Sequence, residues 1–174
     1  MIEQQYISQI VEIVKKAVIF EWTRQGHRLT GKFEQTIEER ITNMKDGVII
    51  EGYIQDYAAL LNRGVSASRI PYQRGSGRKT SQYIQGLVRY ALQRMTNSRQ
   101  EAERIAFAIA SKHKKEGMPT KSSRRFSKTN KRTGFIDDAL ESVQDRIDII
   151  IRIAVESTFD RIIQIGNENF RIAA

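Results

Sequence analysis

In Asp46-Gly47-Val48-Ile49-Ile50-Glu51-Gly52-Tyr53-Ile54 a two-residue hairpin signal leads directly into a β-branched run with an aromatic near its end. Asp-Gly favours the tight turns that join antiparallel strands, and Val, Ile and Tyr fit a pleated surface. This segment separates an α+β chain from an all-helical one. Upstream of it, Phe33, Ile37 and Ile41 fit helical spacing, yet the turn needs a strand before it. The reading is a short helical turn followed by the hairpin. A lone hairpin is marginal in water, so it has to pack on helices or join strands of another chain.

Further back, residues 3–24 read as a helix with two apolar rows. Tyr6, Ile10, Ile13, Ala17 and Phe20 form one; Ile7, Val11, Val14, Val18 and Trp22 form the other. Either the helix is buried all round, or one row faces the core and the other a second element or a second copy of the protein. Downstream of the hairpin, Asp56 is a candidate N-cap for a helix over 57–62 that Gly64 closes in a left-handed conformation. Residues 64–80, with Pro71, Gly75 and Gly77, read as irregular.

Residues 81–95 are predicted helical, with Ile84, Leu87, Val88, Ala91, Leu92 and Met95 on one face. Ser98-Arg99-Gln100-Glu101 is a capping-box signature opening the next helix, which runs out at Gly117 before Pro119. A second irregular segment, 117–133, follows. Asp137 and Asp138 suit the first turn of a helix carrying Ile136, Leu140, Val143, Ile147, Ile150 and Ala154. The run Ile149-Ile150-Ile151-Arg152-Ile153 also admits a strand. Phe159, Ile162, Ile163 and Gly166 suggest another helical stretch. The expectation is one α+β domain over 1–174, mostly helical, with one small antiparallel hairpin and two long irregular loops. Loops of that length in a compact domain are usually functional or disordered.

The 174 residues carry 29 Lys and Arg against 20 acids, a net +9. Nine of the basic residues lie in 112–132 with a single acid, Glu116, so the rest of the chain is near neutral. Such a segment reads as a solvated loop, a nucleic-acid contact or a contact with an acidic protein surface. It is too polar to offset its own ordering entropy, so it is expected to be mobile until something negative or a neighbouring subunit orders it. Phe126 is its sole aromatic residue, which argues against base stacking along a single strand.

The absence of cysteine removes disulfides, thiolate zinc sites and thiol nucleophiles. Two histidines, His27 and His113, leave little for a metal site or a catalytic triad. The longest apolar run, Ile105-Ala106-Phe107-Ala108-Ile109-Ala110, is far short of the ~18 residues that span a bilayer. The start, Met1-Ile2-Glu3-Gln4-Gln5, is acidic where an export signal is basic and then apolar, so neither export nor membrane insertion is expected. Gly75-Ser76-Gly77-Arg78-Lys79-Thr80 approaches a phosphate-binding loop, but Arg78 stands where that loop needs glycine. Glu38-Glu39 and Asp137-Asp138 are adjacent pairs, which on a helix do not face each other. No catalytic residue, cofactor or metal is expected.

Thr30-Gly31-Lys32-Phe33-Glu34-Gln35-Thr36-Ile37 resembles the "Thr-Gly, apolar, polar, Ser/Thr-Ile" box of tailed-phage neck and tail-completion proteins. Gly52-Tyr53-Ile54-Gln55-Asp56-Tyr57-Ala58 through Gly64, then Ile70-Pro71-Tyr72, is similar to the family's "Tyr-Ala … Gly … Pro-aromatic" segment. The helix around Ile105-Ala106-Phe107 and the turn Gly117-Met118-Pro119-Thr120 resemble its later helix. The chain departs from the pattern at Leu60-Leu61-Asn62-Arg63-Gly64-Val65 and in the length of its basic stretch. The resemblance implies a non-enzymatic virion subunit of the head–tail connector, assembled in the host cytoplasm into a ring between portal and tail. Six- or twelve-fold rings, portal or adjacent neck and tail rings as partners, and genomic DNA passing through the channel are the expectations that follow.

A closed ring uses head-to-tail contacts, so each subunit needs two different adhesive surfaces. Tyr6, Ile10, Ile13, Phe20 and Trp22 on the first helix, with Tyr53 and Tyr57 at the hairpin edge and beyond, are the expected subunit contacts. Lys121, Arg124, Arg125, Lys128, Lys131 and Arg132 are expected at the DNA lumen or against a neighbouring ring. The alternatives are a free sequence-independent nucleic-acid-binding protein and, on the Gly75–Thr80 stretch alone, a nucleotide-dependent enzyme.

Overall fold

The computed structural model describes residues 3–45, 47–73, 75 and 81–172. Asp46 of the hairpin signal, residues 76–80 of the glycine-rich stretch and Met1-Ile2 lie outside the described residues. The elements in order are α1 (Gln4–Arg24), β1 (Glu38–Asn43), β2 (Val48–Tyr53), α2 (Asp56–Arg63), a 3-10 turn (Ala67–Arg69), α3 (Gln82–Arg94), α4 (Arg99–Glu116), a second 3-10 helix (Lys121–Phe126) and α5 (Phe135–Ile172). The class is α+β, mostly helical, with one two-stranded antiparallel sheet among the described residues. No helix among them is long and apolar enough to cross a membrane. The chain forms two compact units: Met1–Ala58 with Gly134–Ala174, and the inserted Ala59–Thr133.

The first unit is built on α1 and α5. Gln25 Nε2 donates to Asp138 at 3.2 Å near one end, and Arg161 meets Glu3 at 3.9 Å near the other, so the two helices run antiparallel. Ile7 and Val18 of α1 and Ala139, Val143 and Ala154 of α5 are buried, which follows from their helical spacing. At the Gln25 end, Trp22 stacks on Phe33 at 4.1 Å and meets the edge of Phe135 at 5.2 Å, with His27 and Tyr57 alongside. Burial of three aromatic rings anchors the irregular segment 27–37, which otherwise holds itself by turns such as Thr36 N to Phe33 O. Glu21, also buried, is held by both nitrogens of the Arg24 guanidinium edge, at 3.0 and 3.1 Å.

The hairpin pairs Glu38 with Tyr53 through Asn43 with Val48, and Met44 N donates to Gly47 O. Helix fails between 38 and 43 because the cross-strand ladder satisfies that backbone instead. In α5 the opposite occurred. The strand admitted at 149–153 is helical, and the stretch around Phe159 is no separate helix but the same 38-residue one. Val143, Ile147, Ile150 and Ala154 repeat at three- and four-residue steps towards α1, and that tertiary packing overrides the β-branched preference.

In the second unit α3 and α4 pack through Ile84, Val88 and Ala91 against Ala102, Ala106 and Ala110. The alanines permit close helix approach. Ser98 Oγ accepts from Glu101 N, so the predicted cap is present, and Ser81 Oγ, expected inside the helix, caps α3 by accepting from Ile84 N. Gly64 closes α2 at φ +77°, with its N–H on Leu60 O. The two loops expected to be irregular each carry a 3-10 helix, and Val65 and Met118 tie them by paired backbone bonds of 2.7 and 2.8 Å. Gly117, at φ +84°, faces that bridge, where an added Cβ would stand 2.7 Å from Val65 O. Only glycine fits there.

Candidate functional site

Two surfaces collect the residues singled out by the sequence, one on each unit. On the first unit, the second apolar row of α1 forms the core, while the first row lines two grooves. Tyr6 and Ile10 join Val48, Ile50, Ile147, Ile151 and Ala154 around a groove of ≈ 240 Å³. Ile13, Ala17 and Phe20 join Val143 with Glu12, Lys16 and Arg146 around another of ≈ 530 Å³. Phe20 is 61 % exposed, with the Arg24 guanidinium over its ring at 5.7 Å. Tyr53 and Tyr57 are exposed too, Tyr53 beneath Arg40 at 5.7 Å. Burial, with Glu34 nearby, pushes the Tyr57 phenol above its ordinary value.

Trp22 does not belong with them. It is 3 % exposed, its ring enclosed by Phe33, His27, Tyr57 and Phe135, so its own unit has consumed the surface expected to meet a neighbour. What the sequence reading missed is the far half of α5. Ile149, Ile151, Ile153, Val155, Phe159, Ile162, Ile163 and Ile165 are all 40–61 % exposed. The signal was there to find: the apolar residues of 149–165, interrupted only by Arg152, Glu156, Asp160 and Arg161 among charged ones, form more than the single stripe a surface helix needs. Among the described residues, these eight side chains stay open while Ala154 between them is buried. The hairpin adds exposed Met44, Ile49 and Ile50.

On the second unit, Lys121, Arg124, Arg125 and Lys128 are exposed on and just after the second 3-10 helix. That helix is fastened to α4. Lys121 N donates to Glu116 Oε2 at 2.9 Å, and Lys112 Nζ to Ser122 Oγ at 2.7 Å. Arg125 lies over the exposed Phe126 ring at 4.8 Å. Ser127 Oγ accepts from Thr129 N and so shapes the turn that follows. Lys131 is exposed. Arg132 stands apart: it is half-buried, its Nε makes no hydrogen bond, and desolvation and the Arg94 charge lower its pKa, against a partial pull from Tyr90. It is therefore less open to a ligand than the exposed Lys121, Arg124, Arg125 and Lys128.

Behind this surface, Tyr83 Oη and His113 Nδ1 lie 2.7 Å apart. Burial pushes the phenol up to about 12 and holds the imidazole below its ordinary value, with Glu116 opposing. The two share a hydrogen bond whose donor depends on the imidazole tautomer. Among the described residues no three His, Asp or Glu side chains are grouped to hold a metal ion. Comparison of the chain with protein-family models, with curated proteins and with solved structures returned no match.

Proposed function

We propose that the chain is a non-enzymatic virion structural protein, a ring-forming subunit of the head–tail connector between portal and tail that helps form the DNA channel. The observation that carries the self-assembling part is the open apolar surface of α5 from Ile149 to Ile165. Solitary soluble proteins rarely leave contiguous apolar patches larger than a few hundred Å², and larger ones mark interaction sites. The phage setting draws on the resemblance of the Thr30–Ile37 and Gly52–Tyr72 motifs. The exposed cationic 3-10 helix supplies a surface suited to sequence-independent attraction to phosphates at the lumen, or to an acidic face of an adjoining ring.

Native mass spectrometry and negative-stain microscopy of the purified chain, alone and mixed with its portal, test this reading. Closed rings, six- or twelve-fold, are expected. Persistent monomers under all of these conditions refute it. The exposure of Lys121, Arg124, Arg125 and Lys128 also favours a second reading, a free nucleic-acid-binding protein. That reading requires tight duplex binding with a steep salt dependence by the chain alone, and negligible affinity at physiological salt removes it.

A further inference from the structure

Helix α5 outruns its partner. The Glu3–Arg161 contact marks the beginning of α1, and α5 continues to Ile172. From Ile162 to Asn167 the projecting turns carry no charged residue. An isolated helical end of this length is marginal in water unless packing supports it. Val155, Phe159, Ile162, Ile163 and Ile165 are 40–61 % exposed. Together they present on the order of 500 Å², so covering them on both partners reaches the ~1,000 Å² total that a specific interface needs.

The same unit holds a surface of matching chemistry. The groove between α1, β2 and the middle of α5, walled by Tyr6, Ile10, Val48, Ile50, Ile147 and Ile151, has no charged residue in its lining. At ≈ 240 Å³ it lies below the ~300 Å³ where small-molecule pockets begin, and it suits inserted side chains better than a whole ligand. The projecting end cannot fill it within one molecule. Ile147 and Ile151 in the groove and Ile162 in the projection belong to one continuous helix, which does not fold back on itself. The groove lining brings no charge to the contact, and Arg161 beside the projecting residues is already paired with Glu3.

We propose that the projecting end of α5 from one copy of this chain seats in the α1–β2–α5 groove of the next copy. The two surfaces differ, so the contact can repeat head-to-tail from copy to copy, as the ring reading requires, instead of ending in a reciprocal two-fold pair. This deepens the ring reading above and rests on it, by naming the pair of surfaces that meet.

The chain has no cysteine, so engineered thiols report contacts without background. Full-length Ile50→Cys and Ile162→Cys variants, both at exposed positions, are mixed under mild oxidation while sedimentation velocity follows assembly. The expected result is a 50–162 link in the mixture, none from either variant alone, and a ladder of linked multimers from the double variant. A 162–162 link from the single variant, or linked dimers and nothing larger from the double variant, means a two-fold contact and overturns the proposal. Assembly without a 50–162 link, and without one from the second pair Val48→Cys and Ile165→Cys, overturns it too, yet leaves the ring reading standing. Monomers at every concentration, with or without portal, bring down both.

Discussion

Replacing Gly117 by alanine tests the architecture of the inserted unit. Gly117 sits at φ +84°, ψ −171°, a region that L-residues with a Cβ scarcely enter. Strain of this kind costs about 1–3 kcal/mol. The new methyl carbon would also stand 2.7 Å from Val65 O and 3.3 Å from Ala67 N, both backbone atoms that no rotamer change can move aside. Relief has to come from parting Val65 from Met118, whose two hydrogen bonds of 2.7 and 2.8 Å are worth about 1 kcal/mol each. The sum is about 3–5 kcal/mol, well above an ordinary surface substitution. Gly86→Ala is the control: Gly86 lies within α3, and a Cβ there meets nothing within 4 Å. Helix propensity alone makes that change stabilising by about 0.5–1 kcal/mol. Urea unfolding followed by far-ultraviolet circular dichroism reads both. A Gly117→Ala loss below about 0.5 kcal/mol, within the range of neutral surface changes, would refute the strained turn and its bridge.

Trp22→Ala should destabilise the first unit by about 3–5 kcal/mol, since it empties a cluster of stacked and edge-on rings; Phe20→Ala on the same helix should cost well under 1 kcal/mol, and equal losses in thermal melts would contradict this placement. His113 is held below its ordinary value of 6.5 by burial, so below that pH the unfolded chain binds the extra proton more readily. The stability present above about 6.5 is therefore lost progressively as pH falls through and below it; His113→Gln should flatten the acid limb of a denaturation profile, and an unchanged limb would count against the buried pair. If the cationic 3-10 helix touches DNA backbone, then each of Lys121, Arg124, Arg125 and Lys128 changed to alanine should lower the slope of log K against log salt by up to ~0.9, whereas Arg132→Ala should lower it least. Fluorescence anisotropy on duplexes of two unrelated sequences measures this, and any sequence preference would argue against a pure phosphate contact.

Where local chemistry sets a structure, the sequence displayed it. Ser98 caps its helix through a side-chain oxygen only three residues from the amide it serves, and Gly64 ends α2 within one turn. The hairpin was legible for the same reason, its turn and strands being neighbours in the chain. Harder positions depend on partners far away. Ile149 to Ile153 satisfies strand and helix preferences alike, and the contact of α5 with α1 decides between them. Trp22 shared a row with core residues but was assigned outward as well, because Phe33, Tyr57 and Phe135, which enclose it, come from three separate segments. The charge of residues 112–132 could be counted from the sequence. Its fastening to α4 through Glu116 and Lys112 could not, nor the withdrawal of Arg132 from the surface.

The meeting of Gly64 with the end of the inserted unit has a bearing on heredity. A Cβ built on Gly64 would lie 3.5 Å from the Thr133 methyl group, so the chain enters and leaves that unit through one narrow gate. A segment whose two ends nearly touch is a cassette: it can be cut out, exchanged or lengthened, and the gap closed by a few residues. A lineage recombining at this gate would trade the cationic module for another and keep the rest of the chain.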